Sequence, residues 1–210
     1  MSEIGALVLS AVLSVAAGPA AKEPERLKSI ATDIAAGVSE SEHTVFEGDG
    51  GKLATALMLV AIAKHESEFH AKVDDCSRRG DTGRSITIFQ ILRGPNWGGH
   101  DDRAICGDRK LATKLALGLL ARPLAKRSRM TPQMLANAYA TGAPGNGNQA
   151  AKDICKLWET MALGAGLQKA SCGAARSFAA PKPPAAPIDG DARSAPQRPA
   201  ADAKHTTPDT

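Results

Sequence analysis

Glu66 is the residue whose position best suits it to chemistry. It follows Leu59, Ile62 and Ala63 by seven, four and three residues, so in a helix it lies on the same apolar face as they do. Such a position removes water from a carboxyl group and disfavours its charged form. Glu66 would then keep its proton near neutral pH and serve as a general acid. The alternative interpretation is a glutamate that merely ends a surface helix.

A helix from about residue 52 to about residue 67 is predicted to carry this carboxyl group. Apolar residues recur at the three- and four-residue spacing of a helix from Leu53 onward, and Gly50 and Gly51 mark its start. Downstream, residues 80–85 are rich in Gly, Asp, Ser and Thr, which is typical of a turn.

Three short strings around and after Glu66 resemble the catalytic core of the lysozyme superfamily. They are Glu66-Ser67-x-Phe69, the turn at 80–85 followed by Ile88-Phe89-Gln90-Ile91, and a weaker match at Asn137-Ala-Tyr139-Ala-Thr-Gly142. The match covers roughly residues 46–163. The residues within these strings are most similar to those of hen-type lysozymes, whereas the order of the strings along the chain is most similar to that of bacterial lytic transglycosylases. The resemblance implies a mainly α (α+β) fold, a lysozyme-like helical domain with a small β-hairpin beside the catalytic helix.

The same resemblance implies an activity. The protein would cleave the β-1,4 bond between MurNAc and GlcNAc in peptidoglycan, with Glu66 as general acid/base and with no cofactor or metal. Ser67 would steady Glu66, while Ser85, Gln90 and Tyr139 would orient the substrate. For Tyr139, a half-buried position in the core is an equal alternative.

The sequence also departs from the family pattern. Ser85 stands where hen-type enzymes place a second carboxylate, Thr87 stands where the family has Gly, and Ala140 stands where it has Asn. A retaining mechanism with two carboxylates needs them about 5 Å apart.

Asp81, Asp74 or Asp75 would have to supply that second carboxylate. Lytic transglycosylases use a single acid/base Glu and form a 1,6-anhydro product, so their mechanism fits this sequence better. A hydrolytic muramidase, or a non-catalytic module for peptidoglycan binding or envelope assembly, remains an alternative.

Other residues near these strings have two interpretations each. Trp97 lies in a loop rich in Gly and Pro, where it would offer a flat surface to a sugar ring or else plug the core. His65 and His70 flank Glu66 but stand five residues apart, whereas a zinc-protease helix needs two histidines four apart on one face. We expect both histidines at the rim and no metal site.

Charge is distributed unevenly along the chain. Residues 1–50 carry three Lys/Arg and eight Asp/Glu, whereas residues 93–129 carry nine Lys/Arg and three Asp/Glu. A basic middle favours an anionic partner, although solvated helix faces are the simpler interpretation. Nucleic acid is disfavoured because no aromatic residues alternate with these charges.

The two ends of the chain differ from its middle. Residues 4–17 are an apolar run that ends in small residues, which favours a signal peptide or export anchor over a buried helix, and the run is too short for an ordinary membrane span. We therefore assign residues 1–21 to this segment, 22–45 to a helical extension, 46–176 to the lysozyme-like domain and 177–210 to a disordered tail rich in Pro and Ala. We expect the protein to be a monomer that is exported to the periplasm or outside the cell.

The four cysteines would form two disulfides in an exported protein, with three pairings open. We favour Cys76 with Cys106, which bracket the hairpin, and Cys155 with Cys172.

Three more helices are predicted in the second half of the chain. The first runs from Asp108 to about Ala121, the second begins at Thr131 and Pro132, and the third runs from Gln149 to about Leu163.

Overall fold

The chain folds mainly into helices, with two very small antiparallel sheets. The computed structural model describes residues 2–42, 44–94, 97–127, 129–145, 147–168, 170–174 and 176–177. The helices in this part of the chain are α1 (Glu3–Val15), α2 (Pro24–Ser39), α3 (Gly51–Ser67), α4 (Ala71–Asp74), α5 (Asp102–Gly107), α6 (Arg109–Ala121), α7 (Pro132–Thr141) and α8 (Gln149–Gly164). The strands are β1 (Ser85–Ile86), β2 (Ile91–Leu92), β3 (Arg129–Met130) and β4 (Arg176–Ser177).

The first sheet is the hairpin expected beside the Glu66 helix. Its strands β1 and β2 are antiparallel, with Ser85 opposite Leu92 and Ile86 opposite Ile91. The second sheet pairs β3 with β4, so the last described residues return to the segment before α7. The predicted class, mainly α with a small β-hairpin, is confirmed. Most of the predicted tail, from residue 178 onward, lies outside the described residues.

Helix α3 runs through the centre of the fold. Every residue from Leu53 to Ala63 is buried, and α3 packs against α1, α2, α6 and α8. A helix that is apolar all round belongs in a core rather than at a surface. The prediction of a helix over residues 52–67 is confirmed, with its start one residue earlier.

The apolar run at residues 4–17 forms α1 and contributes to the same core. Val8 and Val12 are fully buried, and the helix packs against α2 and α3. This is the arrangement expected of the buried-helix alternative, while export stays a prediction. Within the described residues, the helices are all too short or too polar to span a membrane.

Both favoured disulfides are present. Cys76 pairs with Cys106 and so ties the segment after α4 to α5, while Cys155 pairs with Cys172 and ties α8 to the segment that follows it. Closing loops of 30 and 17 residues restricts the unfolded chain and so stabilises the fold.

The predicted helix starts at α6 and α7 are confirmed by their caps. The Asp108 carboxylate accepts a hydrogen bond from Leu111 N at 2.9 Å, and Thr131 Oγ1 accepts one from Met134 N at 3.1 Å, ahead of Pro132. Each cap satisfies a backbone N–H that has no partner within the helix.

A buried carboxylate, Asp74, joins three elements of the fold. Its side chain is 4% exposed, and it pairs with Arg26 of α2 at 3.3 Å and with Arg109 of α6 at 2.6 Å. Arg26 also donates from Nη2 to the carbonyl oxygen of Phe69 at 2.7 Å. The ion pairs therefore attach α2 and α6 to the segment immediately after α3.

Replacing Asp74 by Asn should destabilise the fold by about 3 kcal/mol, because two partly buried guanidinium groups would lose their shared counter-charge. The measurement is the free energy of unfolding from urea titration. Glu25→Gln is the matched control, since that carboxylate is 88% exposed and lies 3.9 Å from Lys28; it should change stability by less than about 0.5 kcal/mol. Equal effects of the two changes would contradict the structural role given to Asp74.

Candidate active site

A cleft of about 820 Å³ lies at the carboxyl-terminal end of α3. Three parts of the chain form its walls: the end of α3 with the hairpin, the turn that follows α6, and α7 with the loop after it. A smaller cavity of about 370 Å³ adjoins it. Glu66, Gly80 and Gln90 line both cavities, so the two meet at Glu66.

Glu66 lies in the last turn of α3, where the buried helix reaches the cleft. The side chain is half-buried. Burial raises the pKa of its carboxyl group, and the negative charge of Asp81 raises it further. The expectation from the sequence, a carboxyl group whose charged form is disfavoured, is confirmed.

Among the three candidate aspartates, Asp81 is the one in the cleft. Asp74 is held in the buried ion pairs with Arg26 and Arg109. Asp75 is exposed, and hydrogen bonds from the Ser77 side chain and from Ser77 N, the latter at 2.8 Å, lower its pKa. The signal in the sequence for Asp81 was its place in the turn 80–85, four residues before a serine that can bind it.

The backbone around Glu66 is unusually strained. All the described non-glycine residues with positive φ lie between residues 68 and 90: Glu68, Phe69, Cys76, Asp81, Thr82, Thr87 and Gln90. Positive φ is uncommon outside glycine and is an outlier for a β-branched residue such as Thr87, at 66°. This value explains why a glycine is the expected residue at that position. Strain of this kind concentrates at functional sites, where surrounding contacts must hold it.

Ser67 and Ser85 are both buried; Ser67 lines the smaller cavity, whereas Ser85 lines neither cavity. Ser67 Oγ donates to Ala63 O at 2.8 Å and accepts from Phe69 N at 3.2 Å, which closes the end of α3. Ser85 is fully buried, and its hydroxyl donates to the Asp81 carboxylate. Both hydroxyls therefore position neighbouring groups: Ser67 at the end of α3, and Ser85 at the Asp81 carboxylate.

Gln90 lines both cavities. Its Nε2 donates to Thr87 O at 3.0 Å, which fixes the side chain across the hairpin turn. A Cβ atom at Gly80 would lie 1.9 Å from Gln90 Oε1. The glycine therefore allows the turn at 80–85 to approach this amide.

Tyr139 connects α7 to the hairpin at the wall of the cleft. Its hydroxyl donates to Phe89 O at 2.7 Å. Burial raises the pKa of the phenol well above its ordinary value, and the charge of Glu66 adds to this effect. The phenol therefore stays protonated and close enough to Glu66 to respond to its charge, as both sequence interpretations of Tyr139 allow.

The prediction that Trp97 lies in the cleft is not supported. Trp97 is 5% exposed and belongs to the core cluster, with the guanidinium of Arg93 5.3 Å from its ring centre. Gly98 and Gly99, both at positive φ, let this loop fold back onto the core. The apolar surface that the cleft does present includes Leu92, which is 42% exposed, and sequence analysis did not single it out.

The two histidines line the smaller cavity. His65 is exposed, while His70 Nδ1 accepts a hydrogen bond from Lys72 N at 3.3 Å and so caps α4. In the part of the chain that the structure describes, no three His, Cys, Asp or Glu side chains are grouped as metal ligands would be.

Replacing Glu66 by Gln should stabilise the protein at about pH 8, raising its thermal midpoint by about 2 °C. The pKa of Glu66 is higher in the folded than in the unfolded state. Its contribution to stability is therefore complete below the unfolded pKa and is lost as pH rises through the folded pKa. At about pH 4, near the ordinary pKa of a glutamate, the gain should shrink toward zero.

The measurement is a thermal unfolding series over pH for the parent and the variant. Glu68→Gln, at an exposed neighbouring carboxylate, is the control and should give no comparable trend. A stability difference for Glu66→Gln that does not depend on pH would show that Glu66 is not desolvated.

The chain was compared with protein-family models, with curated protein sequences and with solved structures, and none of these comparisons gave a match. The chemistry of the cleft is therefore argued from its own residues. These are a half-buried carboxyl group with a raised pKa, a carboxylate held by Ser85, and a protonated phenol beside them.

Proposed function

We propose that the protein is a peptidoglycan-cleaving glycosidase, a lytic transglycosylase that acts on the MurNAc–GlcNAc β-1,4 bond. The observation that carries the proposal is the raised pKa of Glu66, which lines the cleft at the end of the buried helix α3. A carboxyl group that keeps its proton near neutral pH can protonate a poor leaving group such as a sugar hydroxyl. The resemblance of the strings around Glu66 and Gln90 to the lysozyme superfamily supports the substrate class.

The shape of the site suits a polymer. Two cavities, of about 820 and 370 Å³, meet at Glu66, so a chain bound across them would have sugar units on both sides of the carboxyl group. Leu92 offers an exposed apolar surface to the C–H face of a sugar ring. Gln90 lines both cavities and supplies amide groups for hydrogen bonds to substrate.

In the first step, Glu66 donates its proton to the glycosidic oxygen, and the bond from that oxygen to C1 of MurNAc breaks. The leaving GlcNAc carries the proton away on its 4-hydroxyl. The N-acetyl oxygen of MurNAc attacks C1 as the bond breaks and shares the positive charge that develops there. Tyr139 lines the cleft as a protonated phenol and so adds no competing negative charge.

In the second step, the ionised Glu66 takes the proton of the MurNAc 6-hydroxyl while O6 attacks C1 and displaces the N-acetyl oxygen. The product is a 1,6-anhydro sugar, and Glu66 regains the proton it gave up. No water is consumed, so the reaction needs one acid/base group and no activated water molecule.

A hydrolytic muramidase is the second candidate, and Asp81 is the observation that favours it. Its carboxylate lines the cleft, raises the pKa of Glu66 and is held by the Ser85 hydroxyl. A carboxyl group that keeps its proton beside a second carboxyl group is the usual arrangement for an acid paired with a nucleophile or base. The transglycosylase route has no essential role for Asp81, and this distinguishes the two candidates.

The site belongs in an exported protein under this proposal, in the periplasm or outside the cell, where peptidoglycan is found. The two disulfides support that location, because such bonds persist in oxidising compartments.

Mass spectrometry of the soluble products from purified peptidoglycan tests the proposal. The parent protein should release anhydro-muropeptides, and Glu66→Gln should reduce the rate by about 100-fold or more, because a general acid contributes roughly that much. Asp81→Asn should retain most of the activity and move the alkaline limb of the pH profile to lower pH, since a negative charge that raises the pKa of Glu66 is removed. Glu47→Gln, at an exposed carboxylate outside the cleft, is the control.

Other outcomes point to the alternatives. Reducing muropeptides, with Asp81→Asn as inactive as Glu66→Gln, would replace the transglycosylase by the muramidase. Binding of peptidoglycan without any soluble product from the parent protein would favour the non-catalytic module.

A further inference from the structure

The cleft contains positive charge that the proposed chemistry does not use. Arg122, Lys126 and Arg127, in the turn after α6, line it together with Glu66 and Asp81. All three side chains are exposed. The pKa of Glu66 is set by burial and by Asp81, with no lowering by these cations. The basic groups come from the turn after α6 and the acidic groups from α3 and the turn at 80–85, so different parts of the chain bring them to one cleft.

Four of the five basic residues between positions 93 and 121 form ion pairs within the fold. Arg93 pairs with Asp102 at 2.6 Å, Arg109 pairs with Asp33 and Asp74, and Lys110 and Lys114 both pair with Glu40 at 2.9 Å.

By contrast, the ion pairs among the described residues include neither Lys126 nor Arg127. Both side chains remain available in the cleft, so a bound anion would meet them without first displacing a carboxylate of the protein.

A neutral glycan does not need such charges. Sugar rings are held by apolar surfaces and by hydrogen-bonding groups, both of which the rest of the cleft supplies. Two cations without counter-charges instead attract an anion and hold it by charge-assisted hydrogen bonds. In peptidoglycan the glycan chain is neutral, and free carboxylates are found on the peptides attached to its muramic acid residues.

We infer that Lys126 and Arg127 form a subsite for the carboxylates of these peptides, so that the cleft prefers peptide-bearing glycan to bare glycan. The inference rests on the proposed function and names the substrate that it selects.

Nucleic acid, the other polyanion to consider, fits the cleft less well. A nucleic acid bound along the cleft would bring phosphates to Asp81 and to ionised Glu66, whereas the glycan chain that would lie there is neutral. Tyr139 is the one aromatic residue among the described residues that line the cleft.

The test measures binding in a Glu66→Gln background, so that no substrate is consumed and the result does not depend on turnover. Soluble glycan fragments that keep their peptides, and chito-oligosaccharides of the same length, whose β-1,4-linked chain carries no carboxylate, are titrated calorimetrically. The peptide-bearing fragments should bind about tenfold more tightly, and Lys126→Ala/Arg127→Ala should remove most of that difference, the effect expected of two solvent-screened ion pairs. The preference should weaken as salt is raised.

Lys152→Ala/Lys156→Ala is the matched control, because it removes two exposed lysines of α8 that lie outside the cleft, and it should keep the preference. Equal binding of both fragments, or the same preference with and without Lys126 and Arg127, would overturn the inference even if cleavage is observed. A single-stranded oligonucleotide that binds more tightly than the peptide-bearing fragment would also overturn it. Fragments carrying phosphate polymers but no peptide provide a further arm; their preferred binding would assign the subsite to phosphate instead of carboxylate.

Conversely, the parent protein could show the peptide-dependent binding without cleaving peptidoglycan. That result would contradict the proposed activity but would support the subsite for peptide carboxylates.

Discussion

The burial of α3 on every face is the constraint on which the rest of the structure depends. A helix with no polar side must be covered by other elements, and α1, α2, α6 and α8 cover it. The helix can reach water only where this cover ends, and Glu66 lies at that point. One packing requirement therefore places a carboxyl group where it is half-buried, and the same partial desolvation raises its pKa.

The strained segment after α3 is held by contacts that come from far away in the sequence. Arg26 binds the carbonyl oxygen of Phe69, and Asp74 pairs with both Arg26 and Arg109. Within the same segment, Cys76 is attached to α5 by its disulfide with Cys106. Since each positive-φ residue costs about 1 to 3 kcal/mol, the turn at Asp81 depends on these contacts for its shape. These contacts therefore stabilise the strained backbone that positions the carboxylate of Asp81.

The cleft is lined by both acidic and basic side chains, and the basic ones specify the substrate in the inferred subsite. Glu66 and Asp81 lie on the side of α3 and the hairpin, while Lys126 and Arg127 come from the turn after α6. Cations next to Glu66 would favour its ionised form and weaken it as an acid. Under the proposed function, a site that protonates a neutral glycan and holds an anionic peptide needs the two kinds of group on different segments, and here they come from different parts of the chain.

By itself, the sequence determined the features that depend on neighbours along the chain. The buried helix, the place of Glu66 on its apolar stripe, and the caps at Asp108 and Thr131 follow from spacing and side-chain chemistry within a few turns. Of the three open pairings of the cysteines, the sequence favoured the one that formed, but only the fold brought each pair together.

Tertiary structure alone decided that Asp81 is the aspartate in the cleft, that Trp97 is buried, and that Lys126 and Arg127 take part in none of the ion pairs among the described residues. Those outcomes depend on contacts between residues that are dozens of positions apart, such as Arg109 with Asp74, and no local spacing encodes how such segments meet.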